Sequence, residues 1–237
     1  MSRSDKSVRS GRFFVDVDVA ADTVEITDAD MLSQWRTVLR LKVGDVIVLI
    51  DPTGMEGQGP ITEMTKSSAT VAIRVRKQNA AEPEVQVTLY CAMLKRENFE
   101  WVAQKAVETG VHRVVPMMTD HTVKLGMKRE RLETIMREAA EQSGRGVVPP
   151  LADPMSFADA IKDSASANGR YFFDIGAPIQ PEAKANRSVA LFIGPEGGWS
   201  EPERIAAASA GLTTVGLGKR VLRAETAAIV ATYLFAK

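Results

Sequence analysis

Ile193-Gly194-Pro195-Glu196-Gly197-Gly198-Trp199-Ser200 and Gly216-Leu217-Gly218-Lys219-Arg220-Val221-Leu222-Arg223-Ala224-Glu225-Thr226 are two glycine-rich stretches in the last third of the chain. Each follows a short apolar run and each precedes a helical pattern. Loops that leave strand ends and enter helix starts are where open α/β sheets bind ligands. Glycine lets the backbone approach a ligand closely and adopt positive φ. Either stretch alone also reads as a plain tight turn. Neither is G-x-G-x-x-G, and neither closes with Lys-Ser or Lys-Thr as a Walker A loop does, so dinucleotide and nucleoside triphosphate binding lose support. A ligand held mainly by main-chain groups is the expectation, and composition does not name it.

Working outward, the region before these loops alternates strand and helix. Val85–Ala92 reads as a strand. Phe99, Val102, Ala103, Ala106 and Val107 form one helical face that stops at Gly110. Arg113-Val114-Val115-Pro116 is extended. Leu132, Ile135, Met136, Ala139 and Ala140 give a second helical face ending near Gly144. A helix around Ser156–Asp163 leads to the strand Tyr171-Phe172-Phe173, and Val189–Ile193 is a further apolar strand. Ser200 and Glu203 have the spacing of a capping box, with Gly211 after the helix they open. Thr226–Lys237 is apolar almost all round, which predicts burial or a subunit interface. The alternation predicts an α/β fold with a mostly parallel sheet.

The first 77 residues read differently. Arg12–Val19, Val46–Ile50 and Thr70–Arg76 are short strand patterns, Asp51-Pro52-Thr53-Gly54 is a turn, and Leu32, Trp35 and Leu39 recur at helical spacing. A small β-barrel with one inserted helix fits. Lys77–Pro83 is polar, ends in proline and reads as a linker to a second domain over residues 84–237.

Composition sets bounds. The chain has 237 residues, 45% hydrophobic and 25% charged, ordinary values for a globular protein. No apolar run approaches the length of a membrane span and the first residues lack the apolar core of a secretion signal, so a cytoplasmic protein is expected. One cysteine, Cys91, precludes an intrachain disulfide and reads as a buried strand thiol; with two histidines, His112 and His121, it makes a zinc site improbable, and no metal is expected. Net charge is zero, with 11 basic and 11 acidic side chains in residues 1–77 and 19 of each in the remainder. Bulk charge therefore gives no support for nucleic-acid binding; only local groups such as Arg3, Lys6, Arg9 and Arg12 could do so.

Gly194-Pro195-Glu196-Gly197-Gly198, followed by Leu217-Gly218-x-x-Val221-Leu222-Arg223-x-Glu225-Thr226-Ala227, closely resembles the small-subunit ribosomal RNA uridine-N3 methyltransferases of the SPOUT superfamily. Gln104–Val111, Glu138–Arg145 and Val38–Asp45 resemble further signatures of that family, so the likeness spans nearly the whole chain. It implies S-adenosylmethionine as methyl donor, an N-terminal PUA-like RNA-binding barrel, a C-terminal trefoil knot, a homodimer, and 16S rRNA, within the 30S subunit, as substrate. By the same resemblance Ile193, Gly194, Pro195, Gly197, Leu217, Gly218, Leu222 and Ala224 are the donor contacts.

Uracil N3 carries a proton and is a poor nucleophile until that proton leaves. A cation can stabilise the resulting anion, and a carboxylate or water can accept the proton. Arg223, Glu225 and Glu196 are the ionisable groups of the two loops. Arg223 either stabilises charge on the uracil oxygens or pairs with Glu225 or Glu196 to fasten the loop. Glu225, at a helix start, reads first as structural. Arg9, Arg12, Arg40 and Arg145 are the expected RNA contacts. One departure stands out: where many relatives carry paired histidines before the Val-Leu-Arg signature, this chain has Ser33-Gln34-Trp35-Arg36. A ribose 2′-O-methyltransferase of the same superfamily and a non-catalytic RNA-binding assembly factor remain the alternatives.

Overall fold

The computed structural model describes residues 11–122, 126–178 and 187–237. The chain divides into two compact units. One gathers the described chain through Glu82 together with Ala140–Val147; the other comprises Pro83–Ala139 and Val148–Lys237.

The first unit is a mixed sheet. Its strands are β1 (Arg12–Phe14), β2 (Thr23–Ile26), β3 (Val46–Ile50), β4 (Met55–Met64), β5 (Ala69–Ala72) and β6 (Val75–Gln78). The order is β1-β3-β4-β5-β2, with β6 pairing β4. Strand β4 is shared: Glu56–Pro60 pairs with β3, Met55–Gln58 with β6, and Ile61–Met64 with β5 across an irregularity. The alternation read over Arg12–Val19 is strand only as far as Phe14, and the run Thr70–Arg76 is broken into β5 and β6. Ile73 and Arg74 instead bond to Asp22 and Gln58 as the chain changes partners. The helical spacing of Leu32, Trp35 and Leu39 becomes a short α-helix, α1 (Ala29–Ser33), running into a π-helical turn over Gln34–Val38. The widened turn seats Leu32 and Trp35 in the core and leaves Leu39 partly exposed. Trp35 packs on Phe13, ring centroids 4.9 Å apart.

The segment read as a linker is hydrogen-bonded within this unit. Asn79 donates to the Gly144 carbonyl at 2.8 Å. Glu82 accepts from the Gly146 and Val147 amides at 3.0 and 3.2 Å and pairs with Arg145. The segment is therefore pinned by partly buried polar contacts, not simply solvated.

The second unit is a six-stranded sheet in which every pairing is parallel. Its strands are β7 (Gln86–Ala92), β8 (Arg113–Met118), β9 (Met155–Ser156), β10 (Gly169–Phe173), β11 (Ser188–Ile193) and β12 (Thr213–Val215), in the order β12-β10-β11-β7-β8-β9. The helices are α2 (Arg96–Glu108), α3 (Arg129–Ser143), α4 (Phe157–Asp163), α5 (Glu201–Ser209) and α6 (Ala224–Ala236). Strands β7 and β11 are central and buried on both faces, which is why they read as continuous apolar runs. An aromatic cluster of Tyr90, Phe157, Phe172, Phe192 and Trp199 fills one side; Tyr90 stacks on Phe192 at 4.6 Å. Cys91 is fully buried in β7, and burial, then the charges of Glu196 and Glu225, push its thiol pKa far up, so it is not a nucleophile.

Candidate active site

The register of the parallel sheet builds the site. Phe173 pairs with Ile193 and with Val215, and Ile193 with Cys91, so β10, β11 and β12 end at one level. Three loops leave that edge together: 174–178, 194–200 and 216–223. They wall a cleft of about 740 Å³, within the size range of small-molecule sites. The first of these loops was not singled out from the sequence. Gly176 and Pro178 after the strand Tyr171-Phe172-Phe173 were the signal that could have marked it.

The expected donor contacts fall around this cleft. Ile193, Gly194 and Pro195 line it from one loop; Leu217, Gly218, Leu222 and Ala224 line it from the other. Gly197 is outside the lining and faces His121 instead: a Cβ on it would lie 3.1 Å from the His121 Cβ. Gly218 has φ +126°, which side-chain-bearing residues rarely adopt, with open space where a Cβ would stand. Gly194 is required by close approach. A Cβ there would meet the Trp199 ring at 2.8 Å. Trp199 in turn donates to the Phe173 carbonyl at 2.8 Å, tying the glycine loop to the end of β10.

The glycine loop is braced from three directions. The predicted capping box forms: Ser200 Oγ accepts from the Glu203 amide and Glu203 accepts from the Ser200 amide. Glu203 also accepts from the Asp120 amide at 3.0 Å, and Ser200 donates to Asp120 at 2.5 Å. His121 Nδ1 lies 3.1 Å from the Gly197 carbonyl and 2.9 Å from that of Gly198. Two carbonyls can only accept, so this ring nitrogen carries the proton. Arg204 donates to the Trp199 carbonyl and clasps the Asp174 carboxylate, its Nε at 2.7 Å, joining the first and second loops. None of these braces was read from the sequence beyond the capping box.

The ionisable residues separate. Arg223 and Glu196 line the cleft, and both are exposed, with Glu196 accepting from Asn98 at 3.4 Å. Glu225 is 2% exposed, lies outside the cleft lining, and has one carboxylate oxygen without a hydrogen-bond partner. Its other oxygen is 3.9 Å from Arg223.

The expected RNA contacts also separate. Arg9 lies outside the described residues. Arg145, expected as an RNA contact, is 4% exposed and its guanidinium is committed to Glu82. Arg12 is similarly committed, pairing with buried Glu56 at 2.6 Å and donating to the Gly144 carbonyl. Burial alone would raise the Glu56 pKa, but Arg12, Asn79 and Lys77 hold it below its ordinary value. Likewise burial opposes ionisation of Glu82, and Arg145 with the two amides outweighs it and holds the carboxyl below its ordinary pKa. Arg40 is exposed, with φ +55°, ending the π-helical turn where glycine is usual.

The family model of an RNA methyltransferase domain matches residues 81–236, and that of an RNA methyltransferase PUA domain matches residues 36–74. The chain is 32% identical over 218 residues to the ribosomal RNA small subunit methyltransferase E of Synechocystis sp., a match covering 88% of this chain and 71% of that protein. The chain belongs to this family of RNA methyltransferases. A crystal structure of the ribosomal RNA small subunit methyltransferase E from Neisseria gonorrhoeae bound to S-adenosylmethionine aligns with a TM-score of 0.84 at 28% identity, covering 94% of this chain and 95% of that one. A methyltransferase from Legionella pneumophila in complex with the same cofactor aligns with a TM-score of 0.83, also at 28% identity, covering 95% and 96%. The three-loop cleft of this chain has the size of a small-molecule site. Its walls are apolar side chains and main chain at Ile193, Leu217, Leu222 and Ala227, with charge confined to a few residues.

Proposed function

We propose that the protein methylates N3 of a uridine in small-subunit (16S) ribosomal RNA, with S-adenosylmethionine as donor. The observation that carries the reading is the cleft where β10, β11 and β12 end in register and three loops converge, in a chain whose relatives are named small-subunit ribosomal RNA methyltransferases. The residues fit the donor: Gly218 leaves open space beside an unusual backbone, and the apolar walls suit an adenosyl group. Bound there, the donor supplies an electrophilic methyl. The chain's own residues would hold it, align it with the acceptor, and manage one proton and one developing negative charge. Arg223 is placed to stabilise the uracil anion, and Glu196 or water to accept its proton; buried Glu225 supports the loop that carries Arg223.

We further infer that the two units correspond to a PUA-like barrel over residues 1–77 and a SPOUT domain over residues 84–237 with a trefoil knot. The PUA-domain match and the all-parallel order of the second sheet support this. A cytoplasmic homodimer acting on the 30S subunit completes the proposal. Helix α6 supports the dimer: one side packs on α2 and the sheet, while Tyr233 and Leu234 stay exposed. No described helix is long and apolar enough to cross a membrane.

The test is methylation of isolated 30S subunits with labelled donor, followed by nucleoside mapping. 3-Methyluridine is expected. Label on ribose would support the 2′-O-methyltransferase reading, and donor binding without transfer to any RNA would overturn the assignment. Light scattering at micromolar concentration tests the dimer, and a fully active monomer would refute it.

A further inference from the structure

We propose that Lys219 and Arg220 form a phosphate-docking rim, through which the donor cleft itself grips the RNA strand beside the nucleotide being methylated. The inference rests on the reading of the protein as an RNA methyltransferase.

The observations begin with which cations are committed. Arg12 and Arg145 are locked in ion pairs inside the first unit. Arg204, beside the cleft, is locked on Asp174. Lys219 and Arg220 are exposed, line the cleft, and make no hydrogen bond or ion pair among the described residues. Arg223 follows on the same wall, its side chain 85% exposed. Three cations therefore occupy five consecutive positions of one loop. That loop is held between β12 and the start of α6, so the charges are presented from fixed ends.

Magnitude decides between a solvated loop and a binding surface. The carboxylates on the cleft wall are Asp174 and Glu196. Arg204 neutralises Asp174 and Glu225 lies 3.9 Å from Arg223, leaving Glu196 against Lys219 and Arg220 and a local surplus of about one positive charge in a chain of zero net charge. S-adenosylmethionine carries one carboxylate, so the donor cannot pair them all. A ligand with several evenly spaced monoanions can, and the RNA phosphodiester backbone is that ligand. A uridine whose N3 edge must leave base pairing also needs its flanking phosphates held close to the reacting atoms. Val221, 70% exposed between Arg220 and Leu222, adds an apolar surface at the same rim.

The experiment uses the full chain, with Lys219→Gln and Arg220→Gln combined, and Arg220→Lys as a charge-retaining control. Three quantities are read: affinity for a single-stranded oligoribonucleotide and for 30S subunits as a function of salt, donor affinity by calorimetry, and methylation kinetics. Loss of two phosphate contacts should flatten the log–log salt dependence by about 1.4 for single strands. The RNA KM should rise severalfold at low salt while donor affinity stays within a factor of two and Arg220→Lys keeps most of the slope. An unchanged slope with unchanged RNA KM would overturn the inference. So would a parallel loss of donor affinity, which would assign these side chains to the donor. If the unaltered protein transfers no methyl group to RNA but the double variant still flattens the slope, the activity assignment fails and the rim stands.

Discussion

Replacing Gly194 with alanine should damage the fold and the donor site together, through one ring. The new Cβ would stand 2.8 Å from Cε2 and 3.0 Å from Nε1 of Trp199. The indole has little freedom to yield. It is 4% exposed, lies 4.4 Å from the Phe172 ring and 5.2 Å from Phe157, and donates to the Phe173 carbonyl. Overpacking of this kind costs about 1–3 kcal/mol. If the ring slides away, the lost hydrogen bond adds about 1 kcal/mol. The combined cost of about 2–4 kcal/mol corresponds to a fall in Tm of roughly 4–16 °C for a chain of this size. If the loop gives way instead, Ile193 to Pro195 shift at the cleft wall and donor affinity should fall about tenfold per 1.4 kcal/mol lost. Calorimetric melting and donor titration measure both. The same substitution in a Trp199→Leu background should cost much less, because the clashing ring is gone. A Gly194→Ala protein that melts and binds donor like the original would refute the close-packing argument.

Other substitutions probe the remaining contacts. His121→Ala should weaken donor binding by up to about tenfold by freeing the Gly197 and Gly198 carbonyls, whereas His121→Asn, which can place a donor where Nδ1 stood, should restore most of it; equal affinities in titration would show that the brace is idle. Arg145→Ala should destabilise by about 3 kcal/mol, reduced somewhat by the partial exposure of Glu82, and leave RNA affinity per folded molecule unchanged; a selective loss of RNA binding in denaturation-controlled assays would return Arg145 to the interface. Glu225→Gln should retain transfer and stability, since one of its oxygens lacks a partner; a stable variant with no turnover would give it a chemical role. Stability should fall in acid. Glu56 and Glu82 have folded pKa values below their unfolded ones, so their contribution is present above the ordinary carboxylate range and is lost as pH drops through the lowered values; acid melting curves that do not change on Glu82→Gln would contradict this.

The parts of the fold that the sequence displayed are those governed by local rules. Buried parallel strands show as apolar runs, so β7 and β11 were legible, and the Ser200–Glu203 capping box needs only spacing. The glycine loops were visible because their conformational demands narrow the residue choice. What stayed hidden depends on partners remote in sequence. Glu82 meets Arg145 across 63 positions and Arg12 meets Glu56 across 44, so arginines that read as exposed are engaged in ion pairs, Arg145 buried and Arg12 half-buried. His121 reaches the glycine loop across 76 positions, with no motif to mark it. The π-helical turn at Gln34–Val38 likewise has no periodicity of its own to read; packing of Trp35 selects it over an ordinary helix.

The first unit is not finished where its strands end. It needs Ala140–Val147, which supplies the carbonyl of Gly144 to Arg12 and Asn79 and the side chain of Arg145 to Glu82. On a ribosome, 65 further residues must be added after Glu82 before Val147 is joined. At ordinary elongation rates of about 5–20 residues per second, that is roughly 3–13 s. During that interval Glu82 lacks Arg145 and the Gly146 and Val147 amides, and Arg12 and Asn79 lack the Gly144 carbonyl, so the nascent sheet must persist on its apolar core and the Arg12–Glu56 pair. Synthesis therefore runs ahead of assembly: the amino-terminal half is the first to be translated, yet it closes only after the central strand and first helix of the other half already exist. A fragment cut at residue 77 or 82 would reproduce that waiting state, not the finished unit.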